Sequence, residues 1–270
     1  MDVAVVGHVE WCEFLRVGEM PLSGGIAHAH ECWEEPGGGG SVAAAQLARL
    51  AGTCTFFTGL GRYELGRRAR ARLESLGIEV HAAPSGERTR RAVVHVDAMG
   101  ERTITVVGRK LLPRGSDALP WRELARKDAV YFVSGDPEAL RHAREARMLV
   151  ATPRELDTLQ RASVELDALV GSGDDEGERY RPGDLDPPPR LVVATAGALG
   201  GWAQPGGPYR AVPPPGEVED TYGCGDSFAA ALTFALAGEQ PLEDALAFAA
   251  EHGAEALTRR GALGRDASPV

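Results

Sequence analysis

Residues 220–232, DTYGCGDSFAAAL, are the stretch that decides how this chain is interpreted. Gly223 and Gly225 bracket one residue, Asp226 follows at once, and the apolar residues after it recur with the four-residue step of a buried helix face. The first turn of a helix has unpaired N–H groups and a dipole that favours anions, and glycines let a phosphate approach the main chain. The stretch therefore predicts a phosphate site at the start of a helix.

Asp226 has two interpretations at this point. A carboxylate beside a phosphate site repels it unless it has a task, and taking the proton from an attacking hydroxyl is such a task. Alternatively, Asp226 caps the helix, a contribution of about 1 kcal/mol. The stretch alone leaves both open.

Composition limits the class of protein. The chain has 270 residues, 43% of them hydrophobic, which suits one large globular domain or two small ones. The formal net charge is -10, and the densest basic run, residues 67–72, falls on the polar side of a predicted amphipathic helix. We therefore expect no nucleic-acid partner.

No feature of the sequence points to a membrane or to an oxidising compartment. No apolar run reaches the roughly 18 residues that span a bilayer, and no signal peptide is recognisable. Cys12, Cys32, Cys54 and Cys224 are not in C-x-x-C spacing, so we expect reduced thiols and no zinc ribbon. A cytoplasmic protein is the expectation.

Strand and helix patterns alternate along the chain, which predicts an α/β fold, a doubly wound, mostly parallel sheet flanked by helices. Residues 91–107 depart from the alternation and read as a hairpin, and residues 8–37 read as irregular. In such sheets the ligand lies beyond the carboxyl ends of the strands. The predicted strands are 2–7, 53–58, 78–82, 128–135, 148–152, 166–170, 191–195, 200–204 and 209–212, and the predicted helices are 41–50, 64–76, 137–147 and those beginning at 226 and 242.

Three further stretches matter together with the first: GGGGSVAAAQLARLAG at 37–52, TGLGRYELGRRARARLESLGIEV at 58–80 and VVATAGALGG at 192–201. In this order and spacing they resemble the ribokinase-like (pfkB family) carbohydrate kinases. The resemblance covers essentially the whole chain. It implies a single kinase domain over residues 1–270 with a small β lid, formed by about 12–35 and 91–107. It also implies transfer of the γ-phosphoryl of ATP to a hydroxyl of a small sugar or nucleoside.

The resemblance also implies a role for particular residues. Asp226 would be the general base, with Mg²⁺ offsetting the negative charge around it and K⁺ as a further expected ion. The remaining roles are the anion hole (the N–H groups of Gly223, Cys224 and Gly225), the nucleotide loops (Thr195, Gly197, Gly200, Gly261 and Ala262), the sugar site (Glu10, Cys12, Glu13, Gly38, Gly39 and Val42) and the monovalent-cation site (Asp220 and Thr221).

The chain departs from the family pattern where a sugar would bind. Cys12 stands where family members commonly carry an aspartate, with Glu10 and Glu13 nearby as substitutes, and Val42 replaces an asparagine. Tyr63 replaces another aspartate. A polyol would leave hydroxyls unpaired there, so we expect a nucleoside or a modified sugar rather than free ribose or fructose.

A further departure lies near the phosphates. Ser172 and Asp175 stand at the place of the family's N-x-x-E motif, which handles Mg²⁺. Asp174 and Glu176 are alternative carboxylates for this role. The simpler interpretation is that the loop is only solvated and binds no ion.

The departures leave a second function class open: a degenerate member that binds a ligand as a sensor or partner protein without turnover. Dinucleotide-dependent redox chemistry is excluded, because no G-x-G-x-x-G follows the first strand. A homodimer formed through the lid is the expected assembly.

Overall fold

A nine-stranded sheet forms the body of the chain, which a computed structural model describes over residues 1–264. Residues 265–270, the end of the predicted domain, lie outside the described residues. The strands are β1 (Val3–Val6), β4 (Cys54–Gly61), β5 (Ile78–Ser85), β8 (Ala129–Phe132), β9 (Met148–Ala151), β10 (Ala168–Ser172), β11 (Val192–Thr195), β12 (Gly201–Gln204) and β13 (Gly207–Tyr209), in the order β13-β12-β11-β10-β9-β8-β1-β4-β5. All pair in parallel except β12 and β13, so the predicted mostly parallel sheet is confirmed.

Helices cover both faces of this sheet because its strands are apolar on both sides. Every residue of β1 is buried, with Val3 and Val5 in one core and Ala4 and Val6 in the other. Across the described chain the helices are α1 (Gly39–Ala51), α2 (Glu64–Glu74), α3 (Pro137–Ala143), α4 (Leu156–Ala162), α5 (Cys224–Ala237) and α6 (Leu242–Ala256).

A second, small sheet consists of β2 (Glu10–Arg16), β3 (Glu31–Gly37), β6 (Arg91–Val96) and β7 (Arg102–Val107), in the order β3-β2-β6-β7. The predicted hairpin forms β6 (Arg91–Val96) and β7 (Arg102–Val107), which are antiparallel. Residues 8–37, predicted to be irregular, contain β2 (Glu10–Arg16) and β3 (Glu31–Gly37), so that prediction was wrong. Charged residues recur in both strands, and the first three residues of β2 are all buried, so neither strand shows a period of two.

Helices α1, α2 and α5 begin or end within two residues of the predicted boundaries, and two differences are larger. Helix α3 ends at Ala143 instead of 147, and helix α4 was not predicted. Within residues 1–264, no helix is both long enough and apolar enough to cross a membrane.

Candidate active site

The carboxyl ends of the parallel strands bring polar side chains to one edge of the sheet. His8 follows β1, Ser134 follows β8, Arg154 follows β9 and Glu178 follows β10. The Nδ1 of His8 lies 2.9 Å from Ser134 Oγ, which joins two of these strand ends. This is the edge at which an open α/β sheet binds its ligands.

Helix α5 begins at this same edge, and its first turn is shaped by Gly223. Gly223 is the N-cap, with φ 74°, and no side chain caps the helix. A β-carbon on Gly223 would lie 2.8 Å from Val42 Cγ1, so both the conformation and the space demand glycine. Asp226 lies inside the first turn, and the helix-cap interpretation of its carboxylate is therefore wrong.

Gly225 differs from Gly223 in both respects. Its backbone has no positive φ, and a β-carbon on it would meet nothing within 4 Å. The space beside Gly225 opens onto the first-turn N–H groups of α5, which have no acceptor within the helix. The arrangement is a cradle with room for an anionic group at a helix start.

The Asp226 carboxyl lies next to Gly39 and has no hydrogen bond from any of residues 1–264, and the residue is partly exposed. Its pKa is raised to about 6, first by burial and then by the negative charge of Glu178, against the opposing charges of Arg102 and Arg154. The carboxylate is thus charged at neutral pH and more basic than an ordinary aspartate, which suits a proton acceptor.

Glu10 approaches from β2 on the other side of the site. Its Oε1 lies 3.0 Å from Arg90 Nε and 3.8 Å from His8 Nε2, and its Cγ lies against Gly38. Burial raises the pKa of Glu10. The pKa of His8 is lowered to about 3 by burial and by the charges of Lys110, Arg90 and Arg154, so His8 is neutral in a positive field.

Three predicted sugar-site residues do not line this space. Cys12 is fully buried, and its Sγ lies 3.3 Å from the Tyr222 hydroxyl, which accepts a hydrogen bond from the Gly38 N–H at 2.8 Å. Val42 is buried beneath Gly223. Glu13 lies on the opposite face of β2 from Glu10 and pairs with Arg91 at 3.2 Å.

The residues predicted for the nucleotide form two loops. Thr195 ends β11, and Gly197 (φ 51°) and Gly200 (φ 92°) bound a short 3₁₀ turn directly after it. Gly261 and Ala262 form the second loop, where the Gly261 N–H donates to Asp220 Oδ2 at 2.7 Å and the Ala262 N–H donates to Glu35 Oε1 at 2.8 Å.

The loop that precedes Gly223 is held by buried and charged groups. Asp220 is fully buried, and its Oδ1 accepts a hydrogen bond from the Tyr222 N–H at 2.9 Å. Arg102, from β7, donates to the backbone oxygen of Thr221 at 2.9 Å and to its hydroxyl at 3.1 Å. Arg102 therefore ties the small sheet to the start of α5.

Sequence reasoning missed several charged residues of the site. Asp175 pairs with Arg154 and accepts the Gly177 N–H at 2.8 Å, whereas Glu178, not singled out beforehand, is the carboxylate whose charge raises the pKa of Asp226 most, ahead of Glu10. Glu178 itself pairs with Arg154 at 2.7 Å and accepts the Ser172 N–H at 2.6 Å. The acidic residues after β10 predicted a carboxylate near the phosphates. The backbone of the 3₁₀ turn Glu176–Glu178 determines that the charge of Glu178 acts on Asp226.

Glu35 was also missed. It is almost fully buried, its Oε2 has no hydrogen-bond partner within residues 1–264, and burial raises its pKa to about 7. The negative charge of Asp220 contributes to that pKa. No sequence pattern marks a buried glutamate in a strand with charged neighbours.

Comparison with known proteins gives concordant matches. The family model described as "pfkB family carbohydrate kinase" matches residues 1–169 and 165–267. An ATP-dependent ribose-1-phosphate kinase of Halopiger xanaduensis is 30% identical, with 96% of this chain and 93% of that protein covered. Fructokinase-1 of Oryza sativa is 30% identical, over 88% of this chain and 87% of that protein. The crystal structure of a ribokinase from Thermotoga maritima has a TM-score of 0.74 at 21% identity, over 97% of this chain and 95% of that one, which shows a common fold.

Proposed function

The chain belongs to the pfkB family of carbohydrate kinases, and from this premise we propose how its site works and which acceptor it takes. It is an ATP-dependent carbohydrate kinase, which transfers the γ-phosphoryl of ATP to a hydroxyl of a small molecule. Nothing in the comparisons favours a degenerate binding protein, and the carboxylate beside the cradle is the group that such a protein would not need.

We propose that Asp226 is the general base. The observation that carries this assignment is a carboxyl with a pKa of about 6 that lies in the first turn of α5, next to Gly39, and has no hydrogen-bond partner within residues 1–264. As the acceptor oxygen attacks phosphorus, its proton passes to the Asp226 carboxylate. The bond from phosphorus to the ADP oxygen breaks at the same time. Because Asp226 accepts a proton in this step, it must be deprotonated before each turnover.

The N–H groups of Gly223, Cys224 and Gly225 are proposed to stabilise the charge on the transferred phosphoryl group. Phosphoryl transfer requires positioning and electrostatic stabilisation rather than covalent help, and fixed donors at a helix start provide both. Arg102 adds a positive charge that reaches Asp226 from the small sheet. The loops around Thr195 and Gly261 would hold the nucleotide.

The residues present fit the two expected metal ions. Asp175 and Glu178 offer carboxylate oxygens, the donors that Mg²⁺ prefers, and they would hold it directly or through water. When bound, Mg²⁺ neutralises phosphate charge. The unpartnered Oε2 of Glu35 and the charge of Asp220 form a buried acidic pair, which fits a monovalent cation such as K⁺ held with Thr221.

We propose that the small sheet is the lid and that the kinase is one domain. The sheet contributes both Glu10 and Arg102, so it borders the acceptor and the phosphate sides of the site. Its outer strand β7 is exposed along its length, including Ile104, Val106 and Val107. An unpaired apolar edge favours pairing with a second copy, so we propose a homodimer through the lid.

The acceptor is proposed to be a sugar that carries an anionic group. Arg90, Lys110 and Arg154 place positive charge around a neutral His8, while Cys12 takes the place of the family's aspartate. One relative is a ribose-1-phosphate kinase, whose named substrate has such a group. Arg90 would bind the anionic group, and Glu10 would orient a hydroxyl.

The test is ADP formation with ribose 1-phosphate, ribose, fructose and adenosine as acceptors. We expect ribose 1-phosphate to give the highest kcat/KM, and Arg90→Gln to raise its KM by at least about tenfold, the value of a lost charge-assisted hydrogen bond. Arg91→Gln, which removes the neighbouring arginine on the outer face, is the control. Equal use of free ribose would contradict the proposed acceptor class without touching the kinase assignment.

A further inference from the structure

Three side chains of types that ligate metals meet at the β5 edge of the large sheet, and none of them belongs to the residues assigned to the kinase site. Glu79 and His81 lie two residues apart on β5 and so share a face, and Glu123 reaches them from the 3₁₀ helix Trp121–Arg126. One ligand atom from each lies within 4.8 Å of the others, and no other such group occurs within residues 1–264. We propose that this cluster binds a divalent transition-metal ion, with Zn²⁺ the best fit.

The distances inside the cluster support a metal rather than a hydrogen-bonded network. His81 Nε2 lies 3.4 Å from Glu79 Oε1 and 3.4 Å from Glu123 Oε2. Charge-assisted hydrogen bonds are shorter, about 2.7–2.9 Å. Ligands at about 2.0–2.1 Å from a tetrahedral Zn²⁺ stand roughly 3.3–3.4 Å apart, which matches both separations between His81 and the glutamates.

The surroundings of His81 leave its Nε2 free for such an ion. The Nε2 atom is buried and has no hydrogen-bond partner within the described chain. The imidazole packs against Phe57, with ring centroids 5.2 Å apart, so its orientation is fixed by the core of the sheet. A buried nitrogen that lies 3.4 Å from two carboxylate oxygens without a hydrogen bond lacks a polar partner, and a cation bound between the three atoms would provide one.

The donor set limits which ion fits. One imidazole nitrogen and two carboxylate oxygens suit Zn²⁺ and its neighbours in the first transition row, whereas Mg²⁺ and Ca²⁺ prefer oxygen alone. Three protein ligands leave the fourth position to water. The ion would join the edge strand β5 to the segment that carries Glu123, and it would take no part in phosphoryl transfer.

The competing arrangement is a protonated His81 held between the two glutamates. It provides the same positive charge without a metal, and it predicts that the purified protein gains nothing from added Zn²⁺. Isothermal titration with Zn²⁺, in the absence of nucleotide, separates the two arrangements. We expect the protein to bind one equivalent of Zn²⁺ and its melting temperature to rise when Zn²⁺ is added.

Variants locate the site. His81→Gln and Glu123→Gln are each expected to weaken Zn²⁺ binding by at least about tenfold, the lower end of what even an outer contact is worth to a metal site. His142→Gln is the matched control, because its ring stacks on Trp121 beside the cluster but offers no ligand to it. Circular dichroism checks that each variant is folded, and kinase activity should be unchanged in all three.

Two results would overturn the proposal. One is the failure of the unaltered protein to bind Zn²⁺ in the titration. The other is equal binding by the unaltered protein and His81→Gln, which would locate the ion elsewhere, for instance at the exposed thiol of Cys32. Neither result bears on the kinase site.

Discussion

Gly39 and Asp226 approach each other so closely that a β-carbon on Gly39 would lie 2.6 Å from Asp226 Oδ1. The starts of α1 and α5 therefore meet, with the proposed base between them. The Asp226 carboxyl can occupy this position because residue 39, at the start of α1, is a glycine and has no side chain. Three parts of the site, namely the sugar-side glycines, the base and the cradle, are held in one packing arrangement.

Gly39→Ala is expected to displace Asp226 and to lower kcat by roughly 10²-fold, because an error of about 1 Å in a reacting group costs that much. Gly39 has no positive φ, so the fold should survive. Gly86→Ala is the control, since a β-carbon there meets nothing within 4 Å. Steady-state kinetics and thermal melting measure the two effects, and an unchanged kcat for Gly39→Ala would show that the contact is not critical.

Asp226→Asn keeps the shape of the side chain and removes its ability to accept a proton. We expect kcat to fall by roughly 10²–10⁴-fold, with nucleotide affinity little changed. Single-turnover kinetics and nucleotide titration check the two halves. Near-normal turnover in this variant would remove Asp226 from the role of base.

The pH dependence of kcat/KM should report the pKa of Asp226. A base with a pKa of about 6 is lost by protonation as pH falls, so the rate should drop below pH 6 and level off above it. Glu178→Gln removes a negative charge that raises this pKa, so the acid limb should move to lower pH. Glu176→Gln, in the same turn but not among the groups that act on Asp226, should leave the limb in place.

The two glycines of the cradle should respond differently to alanine. Gly223→Ala is expected to destabilise the protein by at least about 1 kcal/mol, because its φ is 74° and a β-carbon would meet Val42. Gly225→Ala should leave stability unchanged and raise the KM for ATP, because it fills the open side of the cradle. Urea denaturation and ATP kinetics distinguish them, and equal stability losses would contradict the assignment.

Glu10 and Glu13 form a matched pair on one strand. Glu10→Gln should raise the KM of the acceptor, since Glu10 lies against Gly38 and His8. Glu13→Gln should have little effect, since it only breaks an exposed pair with Arg91. The reverse order of effects would show that the acceptor binds on the other face of β2.

The sequence by itself determined the parallel α/β sheet, the hairpin and the helix start at Gly223. Each of these depends on a local pattern: apolar runs, the helical spacing of apolar residues, and glycines that the backbone needs at a turn. The resemblance to the family was identified from motifs whose order and spacing can be observed in a single sequence.

Tertiary structure alone decided which side chains meet. The strands β2 and β3 carry no clear alternation, and they form because β2 pairs with β6, about 80 residues away in the chain. Cys12 was taken for a substrate contact, yet its partner is Tyr222, 210 residues further on. Contacts of this kind depend on how elements distant in the sequence pack together, and the local periodicity of the sequence does not predict that packing.

The acidic residues show the same division most clearly. Sequence placed carboxylates at 10 and 13 and in the run after β10, but the alternation of side chains along β2 sends Glu13 away from the site. Beside the 3₁₀ turn Glu176–Glu178, Asp175 pairs with Arg154. Among the residues of this run, Glu178 is the one whose negative charge raises the pKa of Asp226. The spacing of acidic residues indicated that carboxyl groups lie near the site; backbone geometry and burial determined which of them act there.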